Sequence, residues 1–297
     1  MKRCLCLTLA LVPFFAWGAE KAPAPAPAGR IYKTVQPVTV DGRLDEACWR
    51  RAEAIPVHFI LGKTGEPAKE LPMTVRYAWD DYYLYIGYEV FDVNLVTQGT
   101  GKMQGPDDNR REGCELGRGD ELYDLTEFFI SFGDRHFFWE LHHDASNHFN
   151  DVWINSFEPD WPANQGVRWG IYFASEEFVR DDADKRVAMT VAMKPGADGR
   201  PSTVNDASDR DTGYTAEIRL PWGGIGAPMA LKSESHIPFV QFDPVWKMAG
   251  REIWLMAVVQ MNDGHFRYCH SSPTAPGGWF HKLVDYWPRY TLVEGAD

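Results

Sequence analysis

Alternation of apolar and polar residues with a period of two runs through most of this chain and commits its backbone to strands. In Met73-Thr74-Val75-Arg76-Tyr77-Ala78-Trp79, Val75 and Tyr77 share an apolar face. In Leu84-Tyr85-Ile86-Gly87-Tyr88-Glu89-Val90, that face is Leu84, Ile86, Tyr88 and Val90. Trp79-Asp80-Asp81-Tyr82 between them reads as a turn, so the two runs predict a hairpin. Runs of the same kind lie at 125–132, 137–142, 167–174, 187–193, 214–220, 237–242, 253–261 and 290–293, nearly all bounded by Gly, Pro, Asn or Asp. Only residues 44–52 read as a helix, with Leu44, Ala47 and Cys48 on one side. About ten short strands and one short N-terminal helix predict an all-β fold, an antiparallel β-sandwich.

The ends and the charge narrow what such a sandwich does. Lys2 and Arg3, an apolar run over 5–15 and the small residues Ala16 and Gly18 around Trp17 predict a signal peptide, residues 1–18. The mature chain then starts at Ala19 and is secreted or periplasmic. The apolar run is too short to span a bilayer, and no later stretch reaches 18 uninterrupted apolar residues, so no membrane span is expected. Cys4 and Cys6 lie too early to mark a lipoprotein cleavage point. Ala22-Pro23-Ala24-Pro25-Ala26-Pro27-Ala28 predicts a stiff, extended linker over 19–30, followed by one domain over 31–297. Without residues 1–18 the charge is −14, from 28 basic and 42 acidic residues. A protein that neutralises nucleic-acid phosphates needs a basic surface, so nucleic acid is not an expected partner. Cys48, Cys114 and Cys269 remain, allowing at most one disulfide, and no spacing matches a zinc or haem-attachment motif.

Three stretches carry more than pattern. They are Val40-Asp41-Gly42-Arg43-Leu44-Asp45-Glu46-Ala47-Cys48-Trp49, the hairpin Val75 to Ile86, and Gly213-Tyr214-Thr215-Ala216-Glu217-Ile218-Arg219-Leu220-Pro221-Trp222. In that order they resemble the family 9 carbohydrate-binding modules and the wider family 9-like domains, over roughly residues 35–295. Read physically, the motifs are mainly architectural. Asp41-Gly42 makes a turn, Trp49 buries a ring, Asp80-Asp81 closes the hairpin, and Pro221 ends a strand where no N–H is needed.

The resemblance implies a site in which aromatic rings stack on a sugar while amides and carboxylates bond its hydroxyls. Carried over by position, the strand carboxylate is Glu127 in Leu125-Thr126-Glu127-Phe128-Phe129-Ile130. An unpartnered charge among such neighbours is expensive, which sets Glu127 apart from the pattern around it. The late strand end is Gln260-Met261-Asn262-Asp263, where Gln260 and Asn262 share a face by the period of two. The late ring is Trp279, after Gly277 and Gly278. Where the family has its first tryptophan, this chain has Glu121-Leu122-Tyr123, so Tyr123 is the candidate substitute. The expected partners are a poly- or oligosaccharide and the glycoside hydrolases that such modules accompany.

Other polar groups compete. His142, His143 and Asp144, with His148 and Asp151, are metal-ligand types without a recognised spacing, and Asn147 and Asp151 fit a turn. Asp107, Asp108, Asp120 and Asp124 suit a structural calcium, which the resemblance also implies. Glu127, Glu140 and Glu217 are the strand carboxylates from which a glycosidase pair, about 5–10 Å apart, would have to come. A haem held between Met and His is a third alternative, on residue types alone. The expected role is non-catalytic sugar binding that supports carbohydrate breakdown.

Overall fold

The computed structural model describes residues 28–97, 123–132, 137–147, 149–155, 168–170, 188–222, 247–261, 267–275 and 284–295. Among them are β1 (Ala28–Tyr32), α1 (Ala47–Arg51), β2 (Ile55–Val57), β3 (Phe59–Ile60), β4 (Met73–Trp79) and β5 (Tyr83–Val90). There follow β6 (Leu125–Ser131), β7 (Phe137–His143), β8 (Phe149–Asn155), β9 (Arg168–Gly170) and β10 (Ala188–Met193). The last are β11 (Tyr214–Pro221), β12 (Glu252–Met261), β13 (Arg267–His270) and β14 (Arg289–Val293).

They form two sheets. The larger has nine described strands: the path β1-β14-β12-β6-β7-β8-β9, with β13 pairing both β12 and β3. The smaller has five, in the order β10-β11-β5-β4-β2. Every ladder is antiparallel except β1 on β14. The expected all-β sandwich is the fold found.

The alternation explains the layering. Phe128 and Ile130 of β6, Trp139 and Leu141 of β7, and Leu255, Ala257 and Val259 of β12 point inward from the large sheet. They meet Val75 and Tyr77 of β4, Ile86 and Tyr88 of β5, and Ala216 and Ile218 of β11. Burial of that apolar area is the main stabilising term. The residues between them point outward, and each sheet covers its outward side differently. On the large sheet Phe129, Phe138, Met256 and Val258 build a second apolar cluster with Trp287 and Val284. On the small sheet Tyr83, Tyr85 and Ala78 pack against Trp49 and Val38.

The three sequence stretches behind the family resemblance meet on that outward side of the small sheet. Glu217 of β11 accepts the backbone N–H groups of Asp41 (2.8 Å) and Gly42 (2.9 Å) and the indole N–H of Trp49 (2.7 Å). Gly42 has φ +84, and a Cβ there would stand 2.7 Å from the Ala192 nitrogen. Gly87 lets Leu44 and Trp49 lie directly on β5, since a Cβ would meet them at 2.8 and 3.1 Å. At the hairpin, Asp80 Oδ1 accepts the N–H groups of Tyr82 and Tyr83, and its carbonyl accepts the indole N–H of Trp222 at 2.8 Å. The motifs are therefore a clamp for the N-terminal segment.

Several expectations need adjustment. β1 begins at Ala28, three residues before Ile31, because it gains a ladder on β14 and Gly29 fits against the Tyr290 ring. The helix is shorter than 44–52, ending at Arg51 with Ala52 already extended. Asp151 is in β8 rather than a turn; the turn is at 144–147, where Asn147 takes φ +62 and its N–H bonds the Asp144 carbonyl. The short strands β2, β3 and β13 lack enough residues to show a period. Neither Cys48 nor Cys269 is in a disulfide, and burial, then Glu46, pushes the Cys48 thiol up to about 11. Cys114 and the expected strand at 237–242 lie outside the described residues.

Candidate functional site

The outward face of the large sheet carries a polar cluster beside its apolar one. Register puts Glu127 of β6 opposite both His142 of β7 and Val258 of β12, and Gln260 opposite Tyr268 of β13. All these side chains leave the same side of the sheet, with Glu140 two residues before His142. Tyr268 donates its hydroxyl to Glu127, 2.8 Å from Oε1 and 2.9 Å from Oε2. His142 Nε2 lies 2.6 Å from Glu140 Oε1. The Gln260 side-chain N–H donates to the Tyr123 carbonyl at 3.1 Å. Of the expected site residues, Glu127, Gln260 and Tyr123 thus come together, Tyr123 through its backbone. Trp279 and Asn262 lie outside the described residues.

Burial dominates the electrostatics. Glu127 is 6% exposed, and loss of solvent pushes its carboxyl up to about 7; nearby His142 and the Tyr268 bond pull down, and Glu140 pushes up. Burial alone would lower His142, but the bond to Glu140 and the charges of Glu140 and Glu127 raise it overall. The Tyr268 phenol is raised by burial and by Glu127 beside it. Together Glu127, Glu140 and His142 bring one ligand-type atom each within 4.8 Å of the others. Such a set can bond hydroxyls, hold a cation, or share a proton.

The remaining candidates have other occupations. His143 points the opposite way, into the core, where Nδ1 meets the Tyr88 hydroxyl at 2.5 Å and Nε2 meets Asn147 Oδ1 at 2.8 Å. Asp144 Oδ1 accepts the Ser146 N–H in the turn. Asp124 Oδ2 accepts the Val96 N–H and ties two loops together; Asp107, Asp108, Asp120 and His148 lie outside the described residues. Sequence reasoning missed Tyr268 as the partner of Glu127 and missed the Glu140–His142 pair. Period-two spacing of Glu140 and His142 was the signal for the second, but only the β6–β7 register places them beside Glu127.

The fold and this face define a class: two-sheet sandwiches with an outward sheet face bearing polar and aromatic groups. Among solved structures, one from Bacteroides uniformis assigned provisionally to carbohydrate binding is similar with a TM-score of 0.50 and 12% identity, covering 90% of this chain and 99% of that one. A family 9 carbohydrate-binding module from Caldicellulosiruptor kristjanssonii, in complex with cellotriose, gives 0.48 and 14%, covering 90% and 95%. The same module in complex with glucose gives 0.46 and 14%, covering 90% and 97%. No protein-family model and no curated protein matches the sequence. At these identities the likeness speaks to the fold. No helix among the described residues is long and apolar enough to cross a membrane.

Proposed function

We propose that this protein binds a sugar ring of a poly- or oligosaccharide on the outward face of the large sheet, without cleaving it. The observation that carries the reading is the juxtaposition of Glu127, Tyr268 and Gln260 on that face. Tyr268 supplies one proton to a carboxylate with several lone pairs, so Glu127 keeps acceptor capacity for a sugar hydroxyl. Gln260 uses an amide N–H internally and keeps its carbonyl oxygen for a ligand. The Bacteroides uniformis likeness supports carbohydrate as the ligand class. In this reading Trp279 supplies the stacking ring and Asn262 a further amide. Export by the signal peptide places the protein where polysaccharides occur, and glycoside hydrolases there are its natural companions.

A hydrolytic reading has one observation in its favour, the closeness of Glu127 and Glu140. Against it, Glu140 is bonded to His142, and retaining pairs are set about 5–5.5 Å apart around an open cleft. A glycan array followed by calorimetry on the best ligand tests the proposal. Trp279→Ala should weaken binding at least ~30-fold, the loss of about 2 kcal/mol of stacking, with the melting temperature nearly unchanged. Unchanged affinity in that variant, or steady release of reducing sugar that Glu127→Gln abolishes, would overturn it.

A further inference from the structure

Among the described residues, the groups that face Glu127 come from three strands. Strand β7 sets His142 and Glu140 beside it, β13 sets Tyr268, and β12 presents only the uncharged Val258 and Gln260. No Lys or Arg among the described residues bridges either carboxylate. Glu140 is committed to His142 at 2.6 Å, an ion pair whenever the imidazole carries both protons. Glu127 has no cation of its own, and its one donor is the Tyr268 hydroxyl, shared between its two oxygens. The charge on Glu127 is therefore the one part of the cluster that the fold leaves unsettled. We propose that a single proton on Glu127 gates sugar binding at this face: the ionised carboxylate holds the sugar and the protonated carboxyl releases it. The inference rests on the sugar-binding reading above and adds its regulation.

Hydrogen-bond counting sets the direction. An ionised carboxylate only accepts, at about four lone-pair sites, so beyond the Tyr268 bond it can take hydroxyls from neighbouring positions of a sugar ring. Bonds to an ionised acceptor are shorter and roughly twice as strong as neutral ones. Protonation removes the charge and one acceptor site, and leaves an O–H in need of an acceptor where Glu127 is only 6% exposed. Burial favours that neutral form and pushes the carboxyl up to about 7, where a small change of pH changes its charge. A protonated His142 favours the carboxylate, and Glu140 opposes it. His142 is thus a positioning residue, setting through its charge the pH at which Glu127 ionises. Fold and ligand pull in opposite directions: the fold keeps the proton and the sugar expels it.

Calorimetry on the full chain with the best glycan of the array, repeated from pH 5 to pH 8, tests the gate. Affinity should rise with pH, by roughly tenfold per unit below 7, because only the ionised fraction binds. At pH 7, titrations in buffers of different ionisation enthalpy should show release of about half a proton on binding. Glu127→Gln should bind weakly with a flat pH profile. His142→Asn should move the midpoint to higher pH, which loss of a merely structural histidine would not do. Unfolding cannot imitate the loss in acid, since protonation of Glu127 stabilises the folded chain; circular dichroism at each pH checks this. Equal affinity at pH 5 and pH 8, or proton uptake on binding, overturns the gate and leaves the sugar reading standing. A chain that binds no glycan at any pH removes both.

Discussion

Glu217 and Glu127 occupy equivalent places, the outward faces of the small and large sheets, both buried and both raised to about 7 by loss of solvent. Their company differs. Glu217 meets three N–H donors, two of them backbone, which favour its charged form and fix the segment Asp41 to Trp49. Glu127 meets one phenol, an imidazole and a carboxylate of its own sign. A carboxylate whose lone pairs are met by rigid donors of the fold is architecture. One with a single donor and idle capacity is placed for something that arrives from outside.

The largest test of this contrast is Glu217→Ala. It strips three buried donors of their acceptor and should cost about 4 kcal/mol, read from urea unfolding. A loss below about 1 kcal/mol would remove the distinction. Next is Trp49→Phe, which keeps a ring in the cluster with Tyr83 and Tyr85 but deletes the indole donor to Glu217. It should cost about 1–3 kcal/mol by the same measurement, and less than Glu217→Ala. The smallest effect belongs to Glu127→Gln. An amide mimics the protonated carboxyl, so stability at neutral pH should move by less than about 1 kcal/mol while sugar affinity falls.

The pH dependence sharpens the contrast further. Glu127 is raised from 4.5 to about 7, so the folded protein holds a proton that the unfolded chain has already released between those values. Its contribution is complete below the unfolded pKa and is lost as pH rises through the folded one. His142, raised overall from 6.5, acts in the same direction. The urea midpoint should therefore fall from about pH 5 to about pH 8, and fall less in Glu127→Gln. A rising midpoint, or one that the substitution leaves unaltered, would mean that Glu127 is charged and well solvated.

The long strands were legible because each has one face against the core, so alternation spells out β4, β5, β6, β7, β11 and β12 nearly to the residue. The short strands β2 and β3 were not, having two or three residues and no period to read. Glu127 stood out as a carboxylate among Leu125, Phe128 and Phe129, and Gln260 followed from its strand end. Its surroundings were not legible, because Tyr268 is 141 residues away and reaches Glu127 only through the order β13-β12-β6. Glu217 shows the same limit. Its three partners lie 168 to 176 residues upstream, and the motifs marked both stretches as architectural without showing that they bond to each other.

The parallel pairing of β1 with β14 also has a mechanical meaning. The chain enters that pair at Ala28 and leaves it at Val293, at opposite ends of two aligned strands. Beyond it, Lys33 donates its N–H to the Val293 carbonyl, and Thr34 donates to the Trp79 carbonyl of the other sheet. The Trp79 indole in turn donates to the Ile31 carbonyl, and Lys33 bridges Asp81 at 2.6 Å. A pull applied between residues 28 and 295 therefore shears these bonds together instead of peeling them one after another. Tension along the chain is resisted at the edge where the two sheets are stitched, and the Glu127 face lies across β14 and β12 from the loaded strand.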